Sequence, residues 1–578
     1  MADGPGGLGP AADGSGDKNP VGDVTMRALE EPDSVGSSLA AQHSRGGRIR
    51  RTILTAVAFV LVWSALALPI DLDRTGIVGL ARIPIEAVVI LALALVLRPR
   101  PLKVVSIVIG VLIGVLVALK LTNTGFDISF SRRFDVVRDW YYLRLAADLL
   151  TDVAGRVWSD VAAVAAIVLV VILLVLLPWA TQRSTAALRR RRRIPGVALG
   201  VVVVVWAVFA LAGAGPTTAA GVATADTSRL IGSTIAQRLA DAHDGPAFAR
   251  QIAADPYASV PPSQRLAGLQ GKDVLLVFIE SYGRVALDDP AIAPTVDAAL
   301  RESAATLATA GFSARSGYLT SPTYGGSSWL AHSTVEAGLW VDSQQRYNQL
   351  LAAGRLTLAR AFAEGGWRVV FSVPSTTGTW PPGAPFYGFD KLYTAHNVDY
   401  HGPTFGYATM PDQYIYHALL TQELTPGHRT PVMAEVDTLS SHYPWTEPPP
   451  LLPWNEVGDG SAYNSAAAQP PAAHPDTAKQ VYADAVSYAL RSLASFAAAS
   501  KDPNLVILAM GDHQPNATIT RPGADHEVPA MLIAHDPALT AKAAAWGWTT
   551  GLAPGPNASV STMDQVRDRL FAAFGAGG

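Results

Sequence analysis

Three apolar runs in the second half of the chain end in residues able to bind a cation. D-V-L-L-V-F-I-E-S-Y-G puts Glu280 directly after its apolar stretch, N-L-V-I-L-A-M-G-D-H-Q-P puts Asp512 and His513 there, and A-E-V-D-T-L-S-S-H-Y-P-W leads to His442. In open parallel sheets, ligands bind outside the carboxyl ends of the strands, so polar residues just beyond such runs converge on one edge. Two carboxylates and an imidazole meeting there form a site for one divalent metal, and mixed oxygen and nitrogen ligands suit Mn or Zn. The 578-residue chain has no Cys, which excludes disulfides, thiolate metal sites, a cysteine nucleophile and a formylglycine made from cysteine.

A nucleophile stands in S-P-T-Y-G-G-S-S-W-L-A-H-S-T. Gly325 and Gly326 permit a sharp turn, and Ser327 is expected to open the helix that follows. Its hydroxyl would then meet free N–H groups and the positive end of the helix dipole, a suitable place for an anionic phosphoryl group. No adjacent base activates it, a difficulty that coordination to a cation removes. Ser328 and Thr323 are the alternatives, with Ser327 then only a helix cap.

These residues need a scaffold. Asp273–Ile279, Arg368–Val373, Pro431–Val436, Asn504–Met510 and Pro529–Ala534 read as strands buried on both faces, with helices such as Leu356–Glu364 and Thr477–Ala499 between them. That alternation implies a mostly parallel α/β sheet. The Pro- and Ala-rich stretch 447–474 exceeds an ordinary connection and reads as either a lid or a disordered insertion.

Upstream, the chain changes character. Only 16% of all residues are charged and mean hydropathy is +0.23, against roughly 25% charge in an average soluble domain, so part of the chain is expected in a membrane. Apolar runs at Thr52–Ile70, Ile77–Leu97, Val104–Leu121, Val161–Ala180 and Val197–Gly213 each approach the roughly 20 residues that cross a bilayer as helix. Arg82 and Glu86, four apart in the second run, either pair on one helix face or line a polar duct. The first run starts too late and runs too long for a cleavable signal peptide.

Basic clusters set the orientation. Arg45, Arg48, Arg50 and Arg51, then Arg98, Arg100 and Lys103, then Arg183 and Arg189 to Arg193 all fall on one side of the spans, the cytoplasmic side by the positive-inside rule. With 44 Lys+Arg against 47 Asp+Glu, nothing else in the charge pattern calls for nucleic acid. The expected fold is an α-helical transmembrane bundle of five spans followed by an extracellular α/β domain. Its parts are a disordered cytoplasmic tail (1–44), the membrane domain (45–215) with interfacial helices in its aromatic loop (122–160), a linker (216–270) with an amphipathic helix near Ser228–Ala242, and the outer domain (271–578).

V-F-I-E-S, the G-G-S-S turn, Y-G-F-D-K-L-Y, S-H-Y-P-W and G-D-H-Q-P, in that order behind five apolar runs, resemble the lipoteichoic acid synthase group of the alkaline phosphatase/sulfatase superfamily. The resemblance covers roughly residues 270 to 540. It implies that Glu280, Asp512 and His513 are metal ligands, together with Ser327, which stands where the family has its threonine nucleophile. It also implies a substrate pocket containing His442 and Trp380, with His526 near the site. The family's arginine shortly after that tryptophan is missing, since Pro381 and Pro382 follow Trp380. The implied activity is a metal-dependent transferase moving a phospholipid headgroup phosphoryl unit, phosphoglycerol favoured, onto a cell-envelope glycan or glycolipid through a phosphoserine intermediate. The alternatives are phosphoethanolamine transfer, phosphodiester or phosphate hydrolysis, and a non-catalytic lipid- or polymer-binding protein.

Overall fold

A computed structural model of the chain describes residues 34–68, 83–130, 134–135, 139–190, 197, 200–201, 223–224, 232 and 244–578, apart from 377–379, 381, 426–428, 466–474, 522 and 578. The chain divides into two compact units, Met1–Val57 and Ala58–Gly578. The described part of the first belongs to helix α1 (Ser34–Ala67), where the Thr52 and Thr55 hydroxyls donate to the carbonyls of Arg48 and Arg51. Residues 34–44, expected in an unfolded tail, lie within this helix.

Among the described residues, the helices before the sheet include α2 (Ile85–Val96), α3 (Pro99–Phe130), α4 (Trp140–Ala154) and α5 (Arg156–Arg190). Among the described residues three helical segments are long and apolar enough to cross a membrane, Arg48–Ala67, Pro99–Phe126 and Arg156–Arg190. They coincide with the first, third and fourth expected spans. Of the second, residues 77–82, Arg82 included, lie outside the described residues and the described part carries the 12-residue α2; most of the fifth span and the helix near Ser228 also lie outside the described residues.

Within the second unit these helices share a small core of Ala58, Val62, Leu66, Ile90, Ile113, Val117 and Leu177. Gly110 lets α3 press against α5, since a Cβ there would lie 2.3 Å from the Cα of Pro178. Lys120, hidden inside an apolar run, is buried and donates to the Leu68 carbonyl at 2.7 Å. That bond answers a carbonyl left open at a helix end.

The α/β domain carries a nine-stranded sheet: β1 (Asp273–Ile279), β2 (Ser313–Thr320), β3 (Arg368–Ser372), β4 (Lys391–Tyr393), β5 (Val432–Asp437), β6 (Leu505–Gly511), β7 (Glu527–Ala534), β8 (Thr549–Thr550) and β9 (Val560–Thr562). The order is β8-β2-β7-β6-β1-β5-β3-β4, with β9 also paired to β2. The run β6-β1-β5-β3-β4 is parallel, whereas β7 is antiparallel to both β6 and β2.

Both faces of the sheet are covered. Leu275, Val277 and Ile279 join one core with Val486, Leu490 and Leu493, while Val274, Leu276 and Phe278 join the other with Leu330, Val335 and Phe362. A strand whose alternate residues feed two cores reads as an unbroken apolar run, which is why β1 stands out in the sequence. The sequence Ser313 to Thr320, S-A-R-S-G-Y-L-T, has no such run, and β2 went unrecognised. The described part of the insertion, 447–465, is tied down: Trp454 Nε1 donates to Ser495 Oγ at 2.8 Å and Tyr463 Oη to Gln413 Oε1 at 2.7 Å.

Leu276 is 1% exposed. Leu276→Ala is expected to cost about 2–5 kcal/mol, a transfer term plus a cavity term. Urea unfolding of the full-length protein checks this, with Leu276→Met close to wild type.

Candidate active site

The loops after β1 and β6 are welded together at the carboxyl edge. Gly511 closes β6 so tightly against the neighbouring loop that a Cβ there would sit 1.9 Å from the Tyr282 carbonyl oxygen. Across this seam the Ser281 backbone N–H donates to Asp512 Oδ1 at 2.7 Å, and the Ser281 hydroxyl donates to Glu280 Oε1 at 2.6 Å. Glu280, Asp512 and His513 are thereby brought together, all buried, with a set of ligand atoms within 4.8 Å of one another.

His513 is aimed by a carbonyl. Its Nδ1 lies 2.9 Å from the Gln514 oxygen, which can only accept, so Nδ1 carries a proton and Nε2 is the nitrogen turned to the site, where burial is outweighed by the Asp512 and Glu280 charges, which raise the ring's pKa. Nε2 faces Asp512 Oδ2 at 3.4 Å and Glu280 Oε1 at 3.7 Å. A hydrogen bond from the far ring nitrogen to a backbone carbonyl is the usual way of fixing a histidine for a metal. Burial, with the Glu280 charge added, pushes the Asp512 carboxyl up to about 6. Two buried carboxylates and an imidazole nitrogen, with no Arg or Lys bonded to either acid among the described residues, make a donor set that fits a divalent cation.

The fourth group is Ser328. Helix α6 (Ser328–Ala337) starts with it, and its Oγ lies 3.3 Å from Glu280 Oε2 and 3.3 Å from His513 Nε2. Ser327, the expected nucleophile, occupies the cap position with a left-handed backbone (φ 68°) and makes no side-chain cap bond. That conformation costs a non-glycine residue about 1–2 kcal/mol, and it turns the Ser327 hydroxyl to Tyr142 Oη, 3.1 Å away. Thr323 is spent inside the turn, its hydroxyl bonded to the Gly326 carbonyl.

The other expected residues divide. Trp380 and His442 line a cavity of about 400 Å³ together with Glu280, Ser327, Ser328 and Asp512. His442 stacks on Tyr407 at 3.7 Å, and its Nδ1 bonds the Tyr443 carbonyl, leaving Nε2 as an acceptor. Burial lowers its pKa to about 4, so the ring is neutral at pH 7. His526 is not among the residues lining the cavity: it packs behind the turn, against Tyr324, with Nδ1 3.3 Å from the Ser321 carbonyl.

Sequence reasoning missed two contributors. Tyr142 of α4 comes from the aromatic loop read only as interfacial, and stacks on Trp329 at 6.2 Å. His332, Glu435 and Asp437 form a second cluster on the cavity wall. Its signal was legible, since A-E-V-D puts two acids inside a strand otherwise buried and apolar.

No family model matches the chain, and no curated protein matches it. Among solved structures it is similar to the lipoteichoic acid synthase LtaP from Listeria monocytogenes, at 16% identity over 52% of this chain and 72% of that one, with a TM-score of 0.33. It is similar to the Streptococcus pyogenes phosphoglycerol transferase GacH, solved with sn-glycerol-1-phosphate, at 14% identity over 57% and 80%, TM-score 0.35. The C-terminal periplasmic domain of EcEptC from Escherichia coli gives 13% identity over 45% and 72%, TM-score 0.29.

The loop bearing His442 hangs on one buried acid. Asp412 Oδ1 accepts from the N–H groups of Leu439 (2.8 Å) and Ser440 (2.9 Å), and burial raises its carboxyl to about 6. Asp412→Ala orphans both donors and is expected to cost about 1–3 kcal/mol for each. Asp412→Asn keeps the acceptor. Because the folded carboxyl titrates above its unfolded value of about 3.9, the native state takes up a proton and gains stability from this group as pH falls from about 6 to 4. Unfolding curves across that window should lose this increment in Asp412→Asn.

Proposed function

We propose that the α/β domain is a phosphoryl-group transferase that takes the headgroup of a membrane phospholipid, phosphatidylglycerol being the favoured donor, and passes it to a hydroxyl of a cell-envelope glycan or glycolipid. The observation that carries this reading is the Ser328 hydroxyl, set at the first position of a helix and within 3.3 Å of both Glu280 and His513. Glu280, Asp512 and His513 would hold one divalent metal, Mn or Zn, which neutralises charge on the phosphoryl oxygens and favours the ionised serine.

The chain's own groups then divide the work. Ser328 Oγ attacks the phosphorus in line, the bond to diacylglycerol breaks, and the serine proton ends on the diacylglycerol oxygen. The headgroup stays on Ser328 as a phosphodiester until an acceptor hydroxyl displaces it, its proton returning to the serine. The N–H groups at the start of α6 point toward the developing negative charge. His442 Nε2, an acceptor at neutral pH, takes a hydrogen bond from a headgroup or acceptor hydroxyl, and Trp380 gives the headgroup an apolar wall.

The membrane segments suit such a donor. Lifting a lipid chain from the bilayer costs about 0.8 kcal/mol per CH₂, so an enzyme of this kind works at the membrane. Five spans with the N-terminus inside and the α/β domain outside remain the arrangement we propose from the basic clusters. Ser327 is the second reading for the nucleophile, because it lines the same cavity.

Full-length protein given phosphatidylglycerol labelled in its headgroup is expected to release diacylglycerol and retain label. Ser328→Ala should lower this by at least about 100-fold, and Ser327→Ala by far less; the reverse pattern moves the role to Ser327. Label retained by the double variant would overturn the proposal. Excess EDTA should stop turnover, and product formed without any acceptor would identify a hydrolase instead.

A further inference from the structure

The second cluster is built by a strand and a helix facing each other. On β5, Glu435 and Asp437 are two apart and share the face of Met433, which packs into the same core as Leu330 and Val335 of α6. On α6, Ser328, His332 and Glu336 follow at four-residue spacing, one stripe of one face. The stripe starts at the proposed nucleophile and continues inward to three buried carboxylates.

Each of those carboxyls leaves one oxygen unmatched, although Glu336 Oε2 accepts from the Ala359 N–H at 2.8 Å and Glu336 and Glu435 hydrogen-bond each other. Glu435 is 3% exposed and its Oε2 has no hydrogen-bond partner; the same holds for His332 Nε2, Asp437 Oδ1 and Glu336 Oε1. Arg567, the base that bears on Glu336, is itself bonded to Asp255 and Asp568. Asp437 also faces the negative charges of Asp512 and Glu280. His332 brings no positive charge at neutral pH, because burial lowers its pKa to about 4. Burial raises all three carboxyls, Glu336 to about 7 and Glu435 and Asp437 well above the usual range, so protons balance them until a cation displaces those protons.

The histidine's spacing from the acids matches ligands of one ion better than a hydrogen bond. His332 Nδ1 lies 3.5 Å from Asp437 Oδ1 and 3.8 Å from Glu435 Oε1. A shared proton would draw such pairs to about 2.6–3.0 Å. Two ligands on one ion, each bonded at about 2.0–2.2 Å in near-tetrahedral geometry, stand about 3.4 Å apart. Phe278, stacked on the imidazole at 3.9 Å and 20°, holds the ring with Nδ1 toward the acids.

We propose that His332, Glu435 and Asp437 bind a second divalent cation, of the Mn or Zn class, in the same cavity as the first site and separate from it in every ligand. Its charge offsets Glu336, Glu435 and Asp437 and adds positive potential behind the Ser328 helix, where an anionic phosphoryl group enters. The proposal goes beyond the transferase reading and does not need it.

The test is metal counting on the full-length protein, stripped with EDTA, reloaded with Mn²⁺ and freed of excess ion. Elemental analysis is expected to give two equivalents in the wild type. Glu435→Gln with Asp437→Asn should bind one, as should Glu280→Gln. A wild type holding one equivalent, or a Glu435/Asp437 variant that still holds two, overturns the proposal. The wild type also supplies a readout free of any folding defect: two neighbouring Mn²⁺ ions broaden each other's electron paramagnetic resonance lines, and an unbroadened spectrum at full loading counts against the pair. Two bound ions without headgroup transfer would sink the transferase and leave this site standing; one ion with intact transfer would do the opposite.

Discussion

Glu280 and Asp512 are held side by side in the interior, and everything at the carboxyl edge of the sheet follows from that juxtaposition. Like charges out of water repel, and burial together with the Glu280 charge lifts the Asp512 carboxyl toward neutrality. The backbone does not let them separate, because the Ser281 N–H is bonded to Asp512 while the Ser281 hydroxyl is bonded to Glu280. Gly511 makes this possible by admitting the Tyr282 carbonyl where any side chain would collide. The sheet therefore holds together a pair of acids that a cation would relieve, and His513 turns its Nε2 toward them.

Tyr142 gives the site a link to the apolar helices. It precedes α5 by the length of α4 and reaches both the Ser327 hydroxyl and the Trp329 ring. An aromatic loop that composition assigns to the membrane surface thus packs on two residues, Ser327 and Trp329, that line the cavity. For the lipid donor proposed above, this contact places the serine turn beside the loop between two apolar helices.

Much of this was legible from residues alone, for a physical reason. The parallel centre of the sheet is buried on both faces, so β1, β3, β5, β6 and most of β7 show as apolar runs, and the acids after β1 and β6 follow directly. Strand β2 was hidden because it lies toward the sheet's margin and mixes Ser and Arg with small residues. The choice between Ser327 and Ser328 turns on one left-handed backbone angle, which no side-chain pattern encodes. The four-residue spacing of Ser328, His332 and Glu336 was visible, and reading it as a helical stripe would have favoured Ser328. Lys120 shows the opposite limit, since its carbonyl partner lies 52 positions away in sequence.

The proposed mechanism requires that the Ser328 oxygen become esterified. Tandem mass spectrometry of the full-length protein, quenched in acid after brief exposure to phosphatidylglycerol and Mn²⁺ without acceptor, locates the adduct within the peptide containing both serines. A glycerophosphoryl mass increment fixed to Ser328 is the predicted result. The increment on Ser327, or an unmodified peptide while diacylglycerol accumulates, would contradict it.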